Sequence, residues 1–425
     1  MLMRSGAFLT LLPNMVPKGW ELSSIGKISD VSSGGTPSRN NEAYWNGNIP
    51  WVTTAEVQFK IIEDTVEKIT EEGLANSSAK LFPAGTILMA MYGQGKTRGQ
   101  VAKLGIDAST NQACAAIVLH TGYEVDFYYQ FLISQYENIR EMANSGGQQN
   151  LSGGIVKSIP VPVPPLTEQK KIAKILSTWD NAISVTEKLL TNSQQQKKAL
   201  MQQLLTGKKR LLDENGTRFS ETWKLYALSK LFQRVTTKNN GKSNNVVTIS
   251  GQHGLIKQED FFKKTVASDT LDGYFLLKKG QFAYNKSYSN GYPMGAIKRL
   301  NRYPEGVVTT LYICFELTTP QKSCGDYWEH YFESGLLNNS LSQIAHEGGR
   351  AHGLLNVKPS DFFSLKVAVP GFEEQQKIAA VLSAADAEIS TLEKKLACLR
   401  DEKKALMQQL LTGKRRVKVD EAVAV

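Results

Sequence analysis

Two nearly identical stretches, KKALMQQLLTGKKR from Lys197 to Arg210 and KKALMQQLLTGKRR from Lys403 to Arg416, decide the fold of this 425-residue chain. They agree at 13 of 14 positions and lie 206 residues apart. The same offset pairs Gln169 with Gln375 without any gap. A unit of chain that ends in this stretch therefore occurs twice.

Upstream of each stretch, apolar residues recur at alternating spacings of four and three, which is the heptad pattern of a coiled coil. We predict two long helices that pack against each other through these seams as an antiparallel coiled coil. The alternatives are that each helix packs on a separate partner helix, or that the two are an ordinary pair of core helices. The seam residues are Ile172, Leu176, Trp179, Ile183, Leu190, Leu200 and Leu204 in the first copy and Ile378, Leu382, Ile389, Leu392, Leu396, Leu399, Leu406 and Leu410 in the second.

Two further features of the sequence bear on where the predicted helices end and how they pack. Gly207 and Gly413 close the repeats and predict the helix ends, because glycine takes the left-handed conformation that terminates many helices. Lys197 and Lys403 occupy seam positions. Since a buried, unpaired ammonium group costs several kcal/mol, we expect these lysines either to reach solvent or to pair with an acid across the helices.

The repeat divides the chain into two α+β domains and two helices. Strands are predicted at Gln281–Asn285 and Val307–Leu317, and a helix near Tyr327–Phe332. The two domains match at their ends, as in Ser158–Pro164 and Ser364–Pro370, but differ inside. The predicted segments are a first domain at 1–165, a helix at 166–210, a second domain at 211–371, a second helix at 372–416 and a tail at 417–425.

The composition of the chain indicates which partners, sites and cellular location to expect. The formal charge of +10 favours a polyanionic partner, although only weakly at this length. The four cysteines show no CxxC spacing, so neither a disulfide framework nor a metal site is expected, and a reducing cytoplasm is the predicted location. The apolar run at residues 7–12 is too short for a signal peptide, and no apolar stretch is long enough to cross a membrane.

The order of domain, helix, domain and helix resembles the specificity subunit of type I restriction-modification enzymes. The residues that carry the resemblance are Pro165–Ala173, Glu374–Ala379, both LMQQLLTGK boxes, Gly35–Ser38, Ile49–Trp51 and Thr110–Gln112. The resemblance spans Pro17 to Arg416. It implies an α+β fold in which two pseudo-symmetric target-recognition domains are separated by the two long helices.

By this resemblance each domain reads one half of a bipartite, asymmetric site in double-stranded DNA, and the helices set the gap between the halves. The subunit itself is not catalytic and binds no cofactor or metal. Two modification (methyltransferase) subunits are implied as partners, together with restriction subunits that translocate and cut DNA. S-adenosylmethionine, ATP and Mg²⁺ are implied in those partner subunits.

Reading of bases requires arginine or lysine for guanine and asparagine or glutamine for adenine, on loops that reach the major groove. Each candidate could instead be a solvated loop residue, because phosphate contacts outnumber base contacts. The candidates are Arg39, Gln94, Lys96, Arg98, Gln148, Gln149 and Asn150 in the first domain and Lys286, Tyr288, Asn290, Tyr292, Arg350 and His352 in the second.

Two other functions compete with DNA recognition. Ala90–Thr97, which reads AMYGQGKT, satisfies a permissive P-loop pattern and would indicate an NTPase if it opened a helix. The residues that follow it favour a strand instead, and with it a basic, glycine-rich hairpin that touches DNA. A coiled-coil scaffold with no role in DNA recognition is the remaining alternative.

Overall fold

The computed structural model describes residues 16–93, 95–144, 150–262, 270–345 and 355–419. The chain folds into two compact units. Unit 1 comprises residues 1–187 and 395–425, and unit 2 comprises residues 188–394. Each unit therefore contains one α+β domain together with part of each long helix.

The first half of the chain forms short strands and helices followed by one long helix, of which residues 188–204 belong to unit 2. The elements of this half are β1 (Glu21–Ser24), α1 (Ile25–Ile28), β2 (Ser29–Ser33), β3 (Trp45–Val52), β4 (Ile61–Ile62), β5 (Glu67–Ile69), α2 (Glu71–Ala75), β6 (Ile87–Ala90), β7 (Val101–Leu104), β8 (Ser109–Thr110), β9 (Cys114–Leu119), α3 (Val125–Ser134), α4 (Tyr136–Asn144), α5 (Gly153–Ser158), β10 (Pro160–Val163) and the long helix α6 (Leu166–Leu204).

The second half of the chain repeats this plan, and residues 395–410 of its long helix belong to unit 1. The elements of the second half are β11 (Lys224–Ala227), α7 (Leu228–Leu231), β12 (Phe232–Arg234), β13 (Val247–Ser250), β14 (Gly254–Lys257), α8 (Gln258–Phe262), β15 (Phe275–Lys278), β16 (Phe282–Asn285), β17 (Ala296–Arg299), β18 (Glu305–Val308), β19 (Ile313–Leu317), α9 (Gly325–Glu333), α10 (Asn338–Ile344), α11 (Pro359–Ser364), β20 (Lys366–Val369) and the long helix α12 (Phe372–Leu410).

Four strands have the same order in the main sheets of the two units. In unit 1 the order is β2-β9-β6-β7-β4, and in unit 2 it is β12-β19-β16-β17. β6 and β16 are flanked on both sides by antiparallel partners, and their burial explains why β6 is wholly apolar and why β16 is apolar or aromatic up to its last residue, Asn285. The α+β class predicted from the sequence is confirmed. Each domain has its own main sheet, and the similar strand order of the two sheets is not evident from their sequences.

One predicted strand is wrong. The run from Val307 to Leu317 forms two strands, β18 and β19, which belong to different sheets. Between them the chain reverses in a turn in which the amide of Tyr312 donates to the carbonyl of Thr309 at 3.2 Å. The apolar character of the whole run misled the prediction, because both strands are buried and the turn also places Tyr312 in the core.

The long helices α6 and α12 contain 39 residues each. All the predicted seam residues are buried or half-buried, whereas most of the positions between them are exposed. Gly207 and Gly413 lie just beyond the last helical turns with φ of 70° and 68°, which confirms the predicted left-handed ends. The final predicted helical residues, 205–210 and 411–416, form turns and extended chain.

Within each unit the long helices also enter the core of the domain. In unit 1, Ile172 and Leu176 from α6 and Leu410 from α12 belong to the cluster that contains Phe127 and Phe131 of α3. In unit 2, Leu204 and Leu382 belong to the corresponding cluster around Trp328, Phe282 and Phe315. A domain boundary drawn at residue 165 or 371 therefore passes through a single hydrophobic core.

Candidate functional site

The stretch with the P-loop pattern forms the loop of a β-hairpin. The amide of Ala90 donates to the carbonyl of Gln100 at 2.9 Å, and the amide of Gly99 donates back to Ala90 at 2.8 Å. The chain then continues into β7, antiparallel to β6. A phosphate-cradling loop has to open a helix so that the helix amides face the phosphate. The NTPase interpretation is therefore wrong, and the predicted hairpin is confirmed.

The loop of this first hairpin, residues 91–100, is held against α4. The hydroxyl of Tyr136 donates to the carbonyl of Lys96, and the guanidinium of Arg140 donates to the carbonyl of Gly95 at 2.9 Å. The Lys96 side chain is exposed and that of Arg98 is half-buried. The backbone is thus fixed while a cationic side chain faces solvent, which is the arrangement needed to contact a polyanion.

A second segment meets the base of this loop. The amide of Leu151 donates to the carbonyl of Met91 at 3.0 Å. Asn150, the neighbour of Leu151, is exposed. Among the described residues, the structure thus places Lys96, Arg98 and Asn150 on two segments joined at Met91. The candidates Gln94, Gln148 and Gln149 lie outside the described residues.

Arg39 is engaged by other side chains of unit 1. Its guanidinium lies 3.7 Å from the centroid of the Trp45 ring and 5.0 Å from that of Trp51, and both of its terminal nitrogens donate to the Glu67 carboxylate. The hydrogen bond to Glu67 raises the pKa of Arg39, and the same bond lowers the pKa of Glu67. This geometry favours a structural role for Arg39, and its role as a base contact stays a prediction.

Three motifs that carried the family resemblance meet at one place in unit 1. The indole of Trp51 donates to the carbonyl of Gly35 at 2.9 Å, and the amide of Gly35 donates to the carbonyl of Thr110 at 2.9 Å. The hydroxyl of Thr36 donates to the side-chain oxygen of Gln112. The motifs are therefore parts of one junction, which their separation along the chain concealed.

Unit 2 presents a second hairpin at the equivalent place. β16 and β17 are antiparallel and enclose a loop at residues 286–295. The amide of Leu355 donates to the carbonyl of Lys286 at 2.9 Å. Since Lys286 directly follows β16 as Met91 directly follows β6, this bond is the counterpart of the one between Leu151 and Met91. Burial lowers the pKa of Lys286, whose ammonium group lies 3.5 Å from the carbonyl of Val357.

The remaining candidates in unit 2 differ in their environments. The ring of Tyr288 is 65% exposed, and Asn290 is also exposed. Tyr292 is half-buried, and its hydroxyl donates to the carbonyl of Gly251 and accepts from Lys298. Burial is the main cause that raises the pKa of Tyr292. Arg350 and His352 lie outside the described residues.

Each unit contains a cluster of one tryptophan, one glutamate and one arginine that was not predicted from the sequence. In unit 1, the carboxylate of Glu168 accepts from the indole of Trp20 at 3.3 Å and from the guanidinium of Arg416. Arg416 also donates to the carbonyl of Lys18 at 2.8 Å. The cluster therefore fastens the start of the domain to the beginning of α6 and to the chain that follows α12.

Unit 2 contains the same cluster in the equivalent residues. The carboxylate of Glu374 accepts from Trp223 at 3.1 Å and from Arg210 at 2.6 and 2.7 Å, and Arg210 donates to the carbonyl of Glu221 at 3.0 Å. Glu168 and Glu374 obey the offset of 206, as do Arg210 and Arg416. That offset, applied to charged residues as well as apolar ones, was the signal that could have found both clusters.

Each seam lysine pairs with an acid, which confirms one of the two predicted outcomes. Lys403 donates to Asp180 at 2.6 Å within unit 1, and Lys197 donates to Asp386 at 2.5 Å within unit 2. Since both pairs link α6 to α12, they contribute to the register of the two helices. In unit 1, Asp180 also accepts from Gln130 of α3 at 2.6 Å, so the pair is tied to the domain as well.

Within the described ranges, no group of three or more histidine, cysteine, aspartate or glutamate side chains is arranged to hold a metal ion. In that same part of the chain, no helix is both long and apolar enough to cross a membrane.

Comparison with known proteins agrees with the duplicated architecture. Residues 17–192 match the type I restriction modification DNA specificity domain. The MjaIX specificity subunit of a type I restriction enzyme from Methanocaldococcus jannaschii is 32% identical over 178 residues, which are 41% of this chain and only 40% of that protein. The MjaVIII specificity subunit from the same organism is 25% identical over 432 residues, covering 95% of this chain and 94% of that protein.

A solved structure shares the fold over nearly the whole chain. The crystal structure of the S subunit from a type I restriction-modification system of M. genitalium has a TM-score of 0.58 and 16% sequence identity, and the match covers 94% of this chain and 97% of that one. At this identity the similarity concerns the fold alone. Residues 17–192 thus carry the match to the type I restriction modification DNA specificity domain, and nearly the whole chain is similar in sequence to specificity subunits of type I restriction enzymes.

Proposed function

We propose that this chain gives a type I restriction-modification enzyme its DNA sequence specificity. Each unit reads one half of a bipartite, asymmetric site, and the helices α6 and α12 set the number of unread base pairs between the halves. The proposal is supported by the similarity to specificity subunits and by the two hairpins, which present solvent-exposed polar side chains on anchored loops.

One observation carries the proposal: the two units keep the same scaffold and differ at the hairpin tips. The Trp–Glu–Arg clusters and the Lys–Asp pairs are repeated residue for residue. The tips, by contrast, offer Lys96 in unit 1 and Tyr288 with Asn290 in unit 2. Two domains that recognise different DNA sequences are expected to have the same supporting contacts but different side chains at the hairpin tips, since different base edges are recognised by different side chains.

The proposal assigns catalysis to other subunits. The chain itself is non-catalytic and binds no cofactor, whereas two modification subunits supply S-adenosylmethionine and restriction subunits use ATP and Mg²⁺. The LMQQLLTGK repeat supports two equivalent docking positions, because identical surfaces bind identical partners. A cytoplasmic location, where DNA and these cofactors occur, is part of the same proposal.

A scaffold without a role in DNA recognition is the other candidate. It would leave the exposed hairpin tips without a purpose, and it predicts DNA binding that is weak and independent of sequence. The two candidates are separated by mapping methylated bases in the host genome with the gene for this chain present or deleted. We expect a bipartite motif that disappears on deletion, and an unchanged methylation pattern would refute the proposal.

The role of the helices is tested by lengthening both. One heptad inserted after Glu187 and one after Glu393, which are equivalent positions at the offset of 206, would preserve the seam. Seven residues add about 10 Å of helix. This length corresponds to about three base pairs of DNA. We expect the same half-sites with a gap longer by about three base pairs.

The matched control places seven residues in the exposed turn at Asp213–Thr217, where the gap should stay unchanged. If the helix insertion leaves the half-sites and the gap as they were, the helices do not set the spacing.

A further inference from the structure

The tip of the second hairpin is an exposed turn of defined geometry. The amide of Tyr292 donates to the carbonyl of Ser289 at 2.8 Å, which closes a four-residue turn. Gly291, the third residue of this turn, has φ of 84°, as a type II turn requires. Asn290 lies within this turn and Tyr288 directly precedes it, and both residues are exposed. The tip therefore presents an aromatic ring and a carboxamide on an ordered backbone.

Tyr292 anchors this tip to the body of unit 2. Its hydroxyl donates to the carbonyl of Gly251 at 2.8 Å, accepts from the ammonium of Lys298 at 2.9 Å and contacts the carboxylate of Glu333. The Lys298 ammonium also pairs with Glu333 at 2.5 Å and is 11% exposed. A side chain with these partners is committed to holding the loop, so it is not available to reach a base.

The fit at Gly251 shows how closely the Tyr292 ring is seated. A Cβ added at Gly251 would lie 2.6 Å from a carbon of the Tyr292 ring. Only a residue without a side chain therefore lets the ring lie against this backbone. The anchor depends on the turn between β13 and β14 as well as on β17 and α9.

The two ends of the loop are fixed separately. The hydroxyl of Tyr284 donates to the carbonyl of Met294 at 2.7 Å, and the side-chain oxygen of Asn285 accepts from the amide of Ser287 at 3.1 Å. Together with the bond from Leu355 to Lys286, these contacts hold the loop on both sides of its tip. Reading a base requires contact groups held close to their productive geometry, and this loop meets that condition.

We propose that Tyr288 and Asn290 are specificity-determining residues for the second half-site and that Tyr292 is the residue that positions them. This inference rests on the proposed function. The Asn290 carboxamide matches the paired donor and acceptor of adenine, and the Tyr288 ring offers an apolar surface to a thymine methyl group. The expected target of the tip is an A·T pair with its neighbour. In unit 1 the equivalent tip carries Lys96, a group suited to guanine.

The experiment selects preferred sites from randomised DNA with the full chain assembled with its modification subunits. Asn290→Ala should reduce discrimination at one position of the second half-site by about 5- to 150-fold, the range that one bidentate contact supplies. Tyr288→Ala should relax an adjacent position. The first half-site and binding to unrelated DNA should not change, because both side chains are exposed and, among the described residues, neither makes a hydrogen bond or an ion pair.

Tyr292→Phe separates positioning from contact. This variant keeps the ring but removes the hydroxyl that Gly251, Lys298 and Glu333 share. We expect lower discrimination at both tip-dependent positions of the second half-site, faster amide exchange in residues 286–295, and unchanged binding to unrelated DNA. Leu225→Ser, at an exposed position of β11, is the matched control and should leave the selected motif intact.

The outcomes are distinguishable. If the wild-type complex selects no bipartite motif, the proposed function itself fails. If the wild type selects such a motif while Asn290→Ala and Tyr288→Ala select the identical one, or alter only the first half-site, this inference is overturned. A Tyr292→Phe variant with faster loop exchange but full discrimination would refute its positioning role.

Discussion

Replacing Arg210 by alanine should destabilise unit 2 strongly, because it leaves a buried carboxylate without its counter-ion. The Glu374 side chain is 2% exposed and accepts two hydrogen bonds from Arg210, at 2.6 and 2.7 Å. Those hydrogen bonds are also the main cause that raises the pKa of Arg210. Among the described residues, only the hydrogen bond from the Trp223 indole would then remain at this carboxylate.

The magnitude follows from the burial of the pair. Removing one partner of a buried ion pair costs about 3–5 kcal/mol. Since the Arg210 side chain is 19% exposed and water can enter the space that it leaves, we expect the lower end, about 3 kcal/mol. For a unit of roughly 200 residues this lowers the melting temperature by about 6–12 °C.

The assay is thermal unfolding of the full chain, with amide hydrogen exchange to assign the transition to unit 2. Arg416→Ala is the matched control, because it removes the equivalent group in unit 1. There the arginine side chain is 41% exposed and that of Glu168 is 9% exposed, so about 1 kcal/mol is expected. Equal losses in both units, or a loss below about 1 kcal/mol for Arg210→Ala, would contradict this reasoning.

Three further predictions concern unit 1. Asp180→Ala should cost about 1–2 kcal/mol, since Lys403 would lose its partner, and a double-mutant cycle with Lys403→Met should show positive coupling in urea unfolding; strict additivity would rule this out. Tyr136→Phe should accelerate amide exchange within residues 91–100 and leave residues 286–295 unchanged, and the reverse pattern would count against the anchoring contact. Glu402→Gln should accelerate alkylation of the exposed Cys398 at mildly alkaline pH, because the hydrogen bond to Glu402 raises the pKa of this thiol; an unchanged rate would refute that cause.

The helices illustrate what can be read from a pattern. The heptad spacing of residues such as Leu176 and Leu382 is a local property of the sequence, and helical geometry converts it directly into a buried stripe. Gly207 and Gly413 mark the helix ends for an equally local reason, since the left-handed conformation strains other residues. The repeat itself required only comparison of the chain with itself.

The candidate site was predicted less completely. Residue type alone selected Tyr288, Asn290 and Tyr292 together, because all three lie in one polar, glycine-containing stretch. Their burial divides them, and burial depends on Gly251, Lys298 and Glu333, which are distant in sequence from the loop. The strand that continues from the P-loop pattern was predicted correctly, since the residues after Thr97 include no helix start.

Identity at a fixed offset and local periodicity were enough to predict the duplication, the two long helices and the α+β class. The folded chain was needed to show that four strands have the same order in both domains, that Glu168 and Glu374 each bind a tryptophan and an arginine, and which hairpin residues face solvent. The physical reason is that strand pairing and ion pairing join residues far apart in the chain, and nothing in their local sequence records the partner.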